Sequence, residues 1–168
     1  MLSPTGPPTT GEQIQTYLSD LANNASIDAS LYRRKSIIPT FTTTNDINSV
    51  FKNYLDPANP DHANLTTATA VIRRSADLFI ENLRSLIPIA NASSVYNTTA
   101  AAPDFLILPI LPVDLAPQSR QLARDANNTV SAVGEITKAY NSALMQGARR
   151  LATQLGSRGN VFTYDVPR

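Results

Sequence analysis

The chain has 168 residues, enough for one domain with a buried core and too few for two. Hydrophobic residues make up 42% and charged residues only 16%, against roughly 25% charged in an average globular protein, so surface polarity must rest largely on Ser, Thr, Asn and Gln. A net charge of +1 leaves no electrostatic footprint for nucleic acid or an anionic membrane, and the absence of cysteine excludes a disulfide scaffold, a Cys-ligated zinc site and a Cys nucleophile.

Residues 1–10 are rich in Pro, Thr and Gly and are expected to be disordered, with one domain over 11–168. The start, "MLSPTGPPTTGEQ", has neither a basic nor an apolar signal region, so no signal peptide is expected in this chain. Residues 11–24 have a helical pattern, with Ile14, Tyr17, Leu18 and Leu21 on one face. "SIIPTFTTT" is β-branched and aromatic and predicts a strand, with Pro39 marking an edge or bulge. A short helix over 46–55 should turn Ile47, Val50, Phe51 and Tyr54 inward.

After the break at "DPANPDHAN", a long helix over 66–87 carries Ile72, Ala76, Phe79, Leu83 and Ile87 at three- and four-residue steps. A polar loop leads to "DFLILPIL", an apolar run expected to be a strand buried on both faces. "PVDLAPQSRQLARDANN" follows as irregular structure. A second long helix is expected over 129–155, with Asn128 as its N-cap and Gly156 as its stop. "NVFTYDV" alternates and predicts a last strand.

Strands separated by long helices need crossovers, so the fold class is α/β, with helices covering a parallel sheet. Three strands are few for such a sheet, which typically has about five to six. No apolar run approaches the ~20 residues that span a bilayer. Five N-x-[ST] patterns, at Asn24, Asn64, Asn91, Asn97 and Asn127, point to a secreted, extracellular parent protein.

Ligands of open parallel sheets bind beyond the carboxyl ends of the strands. Each predicted strand end delivers an acid: Asp46, Asp114 and Asp165. Three such acids could hold a metal, but Asp at a strand-to-helix turn usually caps the helix, and Asp46 in "NDINS" fits that role. The single histidine, His62, has Asp61 beside it in a Pro/Asn-rich loop and reads as a solvated residue. No serine sits on the sharp Gly-flanked turn that nucleophiles use; Ser3 in "LSPTG" comes nearest, in a tail with no strand before it. No phosphate-binding glycine motif or metal-ligand His spacing occurs, so neither cofactor nor metal is expected.

Taken in order, "GEQIQTYL", "SIIPTFTTTNDIN", "PDFLILPILPVDLAP", "ITKAYNSALMQGARRL" and "NVFTYDV" resemble the GDSL/SGNH hydrolases, in particular the fungal GDSL-type lipase/esterase and carbohydrate acetylesterase branch. The resemblance covers residues 11–166 and lies in the ordered set rather than in any one motif. It implies a three-layer α/β/α, flavodoxin-like fold and ester hydrolysis by a Ser-His-Asp arrangement on a small ester or an acetylated carbohydrate. Asn45 matches the Asn of the family's G-x-N-D block, whose side-chain amide stabilises the oxyanion, and is the one catalytic residue that carries over.

Four features depart from the family pattern. Thr43 stands where G-x-N-D has glycine, and the G-D-S segment, the glycine-bearing second block and the D-x-x-H pair do not occur. Asp165 matches a strand-end Asp that is not the catalytic one, and His62 is on the wrong side of the chain to replace the missing His. The resemblance therefore implies the middle of such an esterase, cut at both ends and inactive as it stands. The alternative is a secreted or cell-surface α/β interaction module with no catalytic role.

Overall fold

The structure is a computed structural model and describes residues 10–23, 37–41, 45–87, 104–125 and 128–164. Its elements run α1 (Thr10–Asn23), β1 (Ile37–Phe41), α2 (Asn45–Leu55), α3 (Leu65–Arg84), β2 (Asp104–Leu108), a 3-10 turn (Val113–Leu115), α4 (Pro117–Asp125), α5 (Val130–Leu155), a second 3-10 turn (Gly156–Arg158) and β3 (Val161–Thr163).

The three strands form one parallel sheet in the order β1-β2-β3. Ile38 and Phe105 are register partners, as are Phe105 and Val161, so every strand runs the same way and all carboxyl ends share one edge. This is the expected α/β fold with helices packed on a parallel sheet. Helices α2 and α3 make the connection from β1 to β2, and α4 and α5 the connection from β2 to β3.

Side chains alternate across a strand, and register partners share a face. Phe105 and Ile107 of β2, with Thr40 of β1, are buried on one face. Leu106 and Leu108, on the other face, are only half-buried, and Phe162, the partner of Leu106, is 47% exposed. Burial of "DFLIL" on both faces therefore holds fully for one face alone. Thr40 donates its hydroxyl to the Leu106 carbonyl at 3.0 Å, which satisfies a buried polar group within the sheet. At the amino edge, the buried Asp104 carboxylate accepts from the Asn160 backbone N–H (2.7 Å) and side-chain amide (3.1 Å), and Phe105 N–H donates to Asn160 C=O (2.9 Å). These bonds tie the start of β3 to the start of β2.

The core lies between the sheet and the two long helices. Ile72, Ala76, Phe79 and Leu83 of α3 are buried, as are Val133, Ile136, Tyr140, Leu144, Leu151 and Leu155 of α5. The three- and four-residue spacing thus marks the core face of both helices. Helix α5 starts after Thr129, whose hydroxyl accepts from Ala132 N–H at 3.3 Å. Asn128 is not the cap: its Oδ1 accepts from Thr129 N–H at 2.8 Å and its Nδ2 donates to the Leu55 carbonyl at the end of α2 at 3.2 Å, while Thr129 caps the helix. Gly156 ends α5 at φ +56°, where a Cβ would be strained.

Helix α4 is an element that the sequence reading treats as irregular. Pro117 opens it, as suits the first turn of a helix, but its buried residues are Ser119 and Ala123. Two small side chains make a poor apolar stripe, so periodicity does not reveal it.

Helix α5 lies against Ile80 of α3 at Gly147. A Cβ there would stand 2.6 Å from Ile80 Cγ1. Gly147→Ala should therefore destabilise the fold, because overpacking costs about 1–3 kcal/mol and exceeds the gain of about 1 kcal/mol in helix propensity. Urea unfolding should show a lower midpoint for Gly147→Ala, and the penalty should vanish in an Ile80→Ala background, where the obstructing atom is gone.

Candidate functional site

Beyond the carboxyl ends of β2 and β3 lies a cavity of about 500 Å³, inside the range of about 300–1,000 Å³ typical of small-ligand sites. Four stretches of chain build it. Pro109 and Ile110 follow β2 directly; Pro112, Asp114 and Leu115 belong to the turn that comes next. Helix α5 contributes Gly134, Thr137, Lys138, Asn141, Ser142 and Met145, and Tyr164 follows β3.

Asn141 holds the cleft together. Its Oδ1 accepts from Ile110 N–H at 2.9 Å and its Nδ2 donates to Ile110 C=O at 2.8 Å. Both polar groups of one backbone residue are thus paired by one side chain, where two prolines flank the stretch and remove donors of their own. The clamp fixes the segment after β2 against α5.

Gly134 provides a second close approach. A Cβ at this position would lie 3.2 Å from Asp114 Oδ2, so the glycine lets the Asp114 carboxylate rest against the helix. Thr137 is buried and donates its hydroxyl to the Val133 carbonyl at 2.9 Å, so it presents its methyl rather than a free hydroxyl. Lys138 pairs with Glu135 at 2.7 Å, both half-exposed, which makes it a rim charge of small energetic weight. The groups left to meet a ligand are the Asp114 carboxylate, the Ser142 hydroxyl and the Tyr164 phenol, among the apolar surfaces of Ile110, Leu115 and Met145. That mixture suits a compact ligand with an apolar body and a few hydroxyl or carbonyl groups.

The residues singled out from the sequence fall apart in space. Asn45 is exposed and opens α2 just past β1, on the same sheet edge as the cleft but not in its lining. Asp46 does not cap α2, which begins one residue earlier. It sits in the first turn, where a negative charge suits the helix dipole, and accepts the Ser75 hydroxyl at 2.9 Å, linking α2 to α3.

Asp114 does line the cleft. Thr43, Asp165 and Ser3 lie outside the described residues, so the three strand-end acids are not seen together. Among the described residues no three His, Asp or Glu side chains gather as a metal site would require. His62 is exposed; its backbone N–H donates to Asn59 C=O at 3.0 Å in a self-bonded loop. No hydrogen bond joins a described serine to His62, so no serine–histidine pair is assembled among these residues.

Sequence reasoning named only Asp114 among the cleft residues. One further signal was present: Asn141 stands in the "YNSAL" segment, a helical motif of the resemblance, beside the buried Tyr140. No protein-family model, curated protein or solved structure matches this chain.

Asn141→Ala should release the segment after β2. Leaving the two Ile110 groups unpaired costs about 1–3 kcal/mol. Hydrogen exchange should show the Ile110 amide exchanging about tenfold faster or more, while the Phe105 amide within the sheet keeps its protection.

Proposed function

We propose that this chain is part of a GDSL/SGNH-type ester hydrolase acting on carboxylic or acetyl esters, of which it supplies the oxyanion donor and the substrate cleft. The observation that carries the reading is the common edge of the sheet. Asn45 opens the helix beyond β1, and the cleft lies beyond β2 and β3, in the order that the resemblance requires.

In this reading the Asn45 amide N–H points at the oxygen of the tetrahedral intermediate. A donor of this kind is worth ~3 kcal/mol of barrier. Asp46, held by Ser75, steadies the first turn of α2 on which Asn45 stands. The acyl or sugar portion of the substrate occupies the cleft against Ile110 and Met145. The serine nucleophile and its histidine come from outside these 168 residues, which contain neither G-D-S nor D-x-x-H. The five sequons favour a secreted parent enzyme, and no described helix is long and apolar enough to cross a membrane.

One observation favours the second reading, a non-catalytic interaction module. Leu111, Leu115 and Tyr164 are 62%, 70% and 59% exposed near the cleft mouth, and large exposed apolar groups at one place mark contact surfaces.

A chromogenic acetate ester separates the readings in two steps. The chain alone should show no turnover above its Ser3→Ala/His62→Ala double variant. Turnover lost in that variant would show a different catalytic pair and overturn the proposal. The coding region should then carry, in frame, G-D-S upstream and D-x-x-H downstream. In that longer enzyme Asn45→Ala should lower kcat by about 10²–10³-fold with KM little changed. Absence of both segments would favour the interaction module.

A further inference from the structure

Of the five N-x-[ST] patterns, Asn64 is the one whose acceptor asparagine lies among the described residues. We infer that Asn64 is an N-linked glycan attachment site, arranged so that the glycan and the cap of helix α3 use different atoms of the same side chain. This goes beyond the esterase reading and does not depend on it, because a chain with no catalytic role carries the same acceptor.

Asn64 is the N-cap of α3. Its backbone is extended (φ −143°, ψ 171°), and its Oδ1 accepts from Thr67 N–H at 2.9 Å. The cap therefore uses the oxygen of the carboxamide and leaves the nitrogen. Among the described residues, Asn64 Nδ2 has no hydrogen-bond acceptor. Three asparagines outside the acceptor positions behave differently: Asn128 donates its Nδ2 to Leu55 C=O, Asn141 to Ile110 C=O and Asn160 to the Asp104 carboxylate. In each of these a sugar would have to share the nitrogen with a tertiary contact, and at Asn64 it would not.

The surroundings are open. Asn64, Leu65 and Thr66 are all exposed, so neither the acceptor nor the hydroxyl two residues on is covered. The preceding loop is held by its own bonds, Ala58 N–H to the Asp56 carboxylate and Asp61 N–H to Asn59 Oδ1, both at 2.9 Å, and it closes on α2 through Ala63 N–H to Tyr54 C=O at 2.9 Å. Asn64 thus emerges from a surface loop of defined shape.

Glycosylation needs a lipid-linked oligosaccharyl diphosphate and the transferase of a secretory compartment. The Asn64 Nδ2 attacks the anomeric carbon. The C–N bond forms as the bond from that carbon to the diphosphate oxygen breaks, the lipid diphosphate leaves, and one Nδ2 proton passes to a base of the transferase. The product keeps its carbonyl oxygen as an acceptor, so the bond from Thr67 N–H survives in the folded glycoprotein.

The full chain, fused to a cleavable secretion leader in a eukaryotic host, provides the test. Glycans are released enzymatically in heavy-oxygen water, which converts each occupied asparagine to a labelled aspartate, and the peptides are mapped by mass spectrometry. The label is expected at the Asn64 position, and Thr66→Ala should abolish it. Thr66→Ala leaves the capping oxygen in place, so it should melt with the parent once both are enzymatically deglycosylated; Asn64→Asp should keep α3 capped and lose the glycan. An unlabelled Asn64 in chain recovered from the medium or from microsomes, whether or not other asparagines are labelled, would overturn the inference.

Discussion

The carboxyl edge of the sheet depends on how closely α5 lies against α3. At Gly147, Ile80 occupies the space that any side chain would need. Both helices also bury alanines, Ala76 on α3 and Ala139, Ala143 and Ala148 on α5. Small residues at a helix crossing bring two backbones together and gain dispersion contacts along the whole interface. The Arg150–Asp77 ion pair spans the same two helices at 2.7 Å, but both groups are more than half exposed, so it adds little. Packing sets the position of α5, and α5 carries half of the cleft.

One helix serves both core and cleft because neighbouring positions point about 100° apart. Tyr140 is buried in the core, while Asn141, next along the chain, reaches Ile110. Leu144 is buried as well, and Met145 beside it lines the cleft. The two ends of the sheet then differ in what their polar groups do. At the amino edge, Asp104 and Asn160 satisfy each other and stitch β3 to β2. At the carboxyl edge, Asn141 stitches the backbone, and Asp114, Ser142 and Tyr164 remain at the cavity surface. A parallel sheet offers its ligands the carboxyl edge, and this one closes its opposite edge with structural bonds.

The long helices and the parallel sheet were legible because their signals are collective. Four or five apolar residues at helical spacing outweigh any single substitution, and strands joined by helices admit little besides parallel pairing. Local features were read less well where two residues compete for one role. Asn128 and Thr129 both suit an N-cap, and Thr129 takes the role while the Asn128 Oδ1 accepts from the adjacent Thr129 N–H. Asp46 suits a cap by type, but the helix begins one residue earlier, and its carboxylate accepts from Ser75, distant in sequence. The cleft was the least legible part. Its walls come from four stretches of chain, and Gly134 matters only because Asp114 is folded against it. No spacing rule on one segment reports a contact between two.

In the esterase reading the donor beyond β1 and the cleft beyond β2 and β3 share one edge of the sheet. Water exclusion is the harder requirement. An amide N–H stabilises an oxyanion strongly only where solvent is kept out, since the same interaction in water is screened many-fold. Asn45 is exposed among the described residues, whereas Ile110, Leu115 and Met145 give the neighbouring cleft apolar surface. In that reading, catalysis would require the substrate to bridge the two sites. Its body would fill the cleft and lie over β2, shielding the carbonyl at Asn45 from water when the nucleophile arrives.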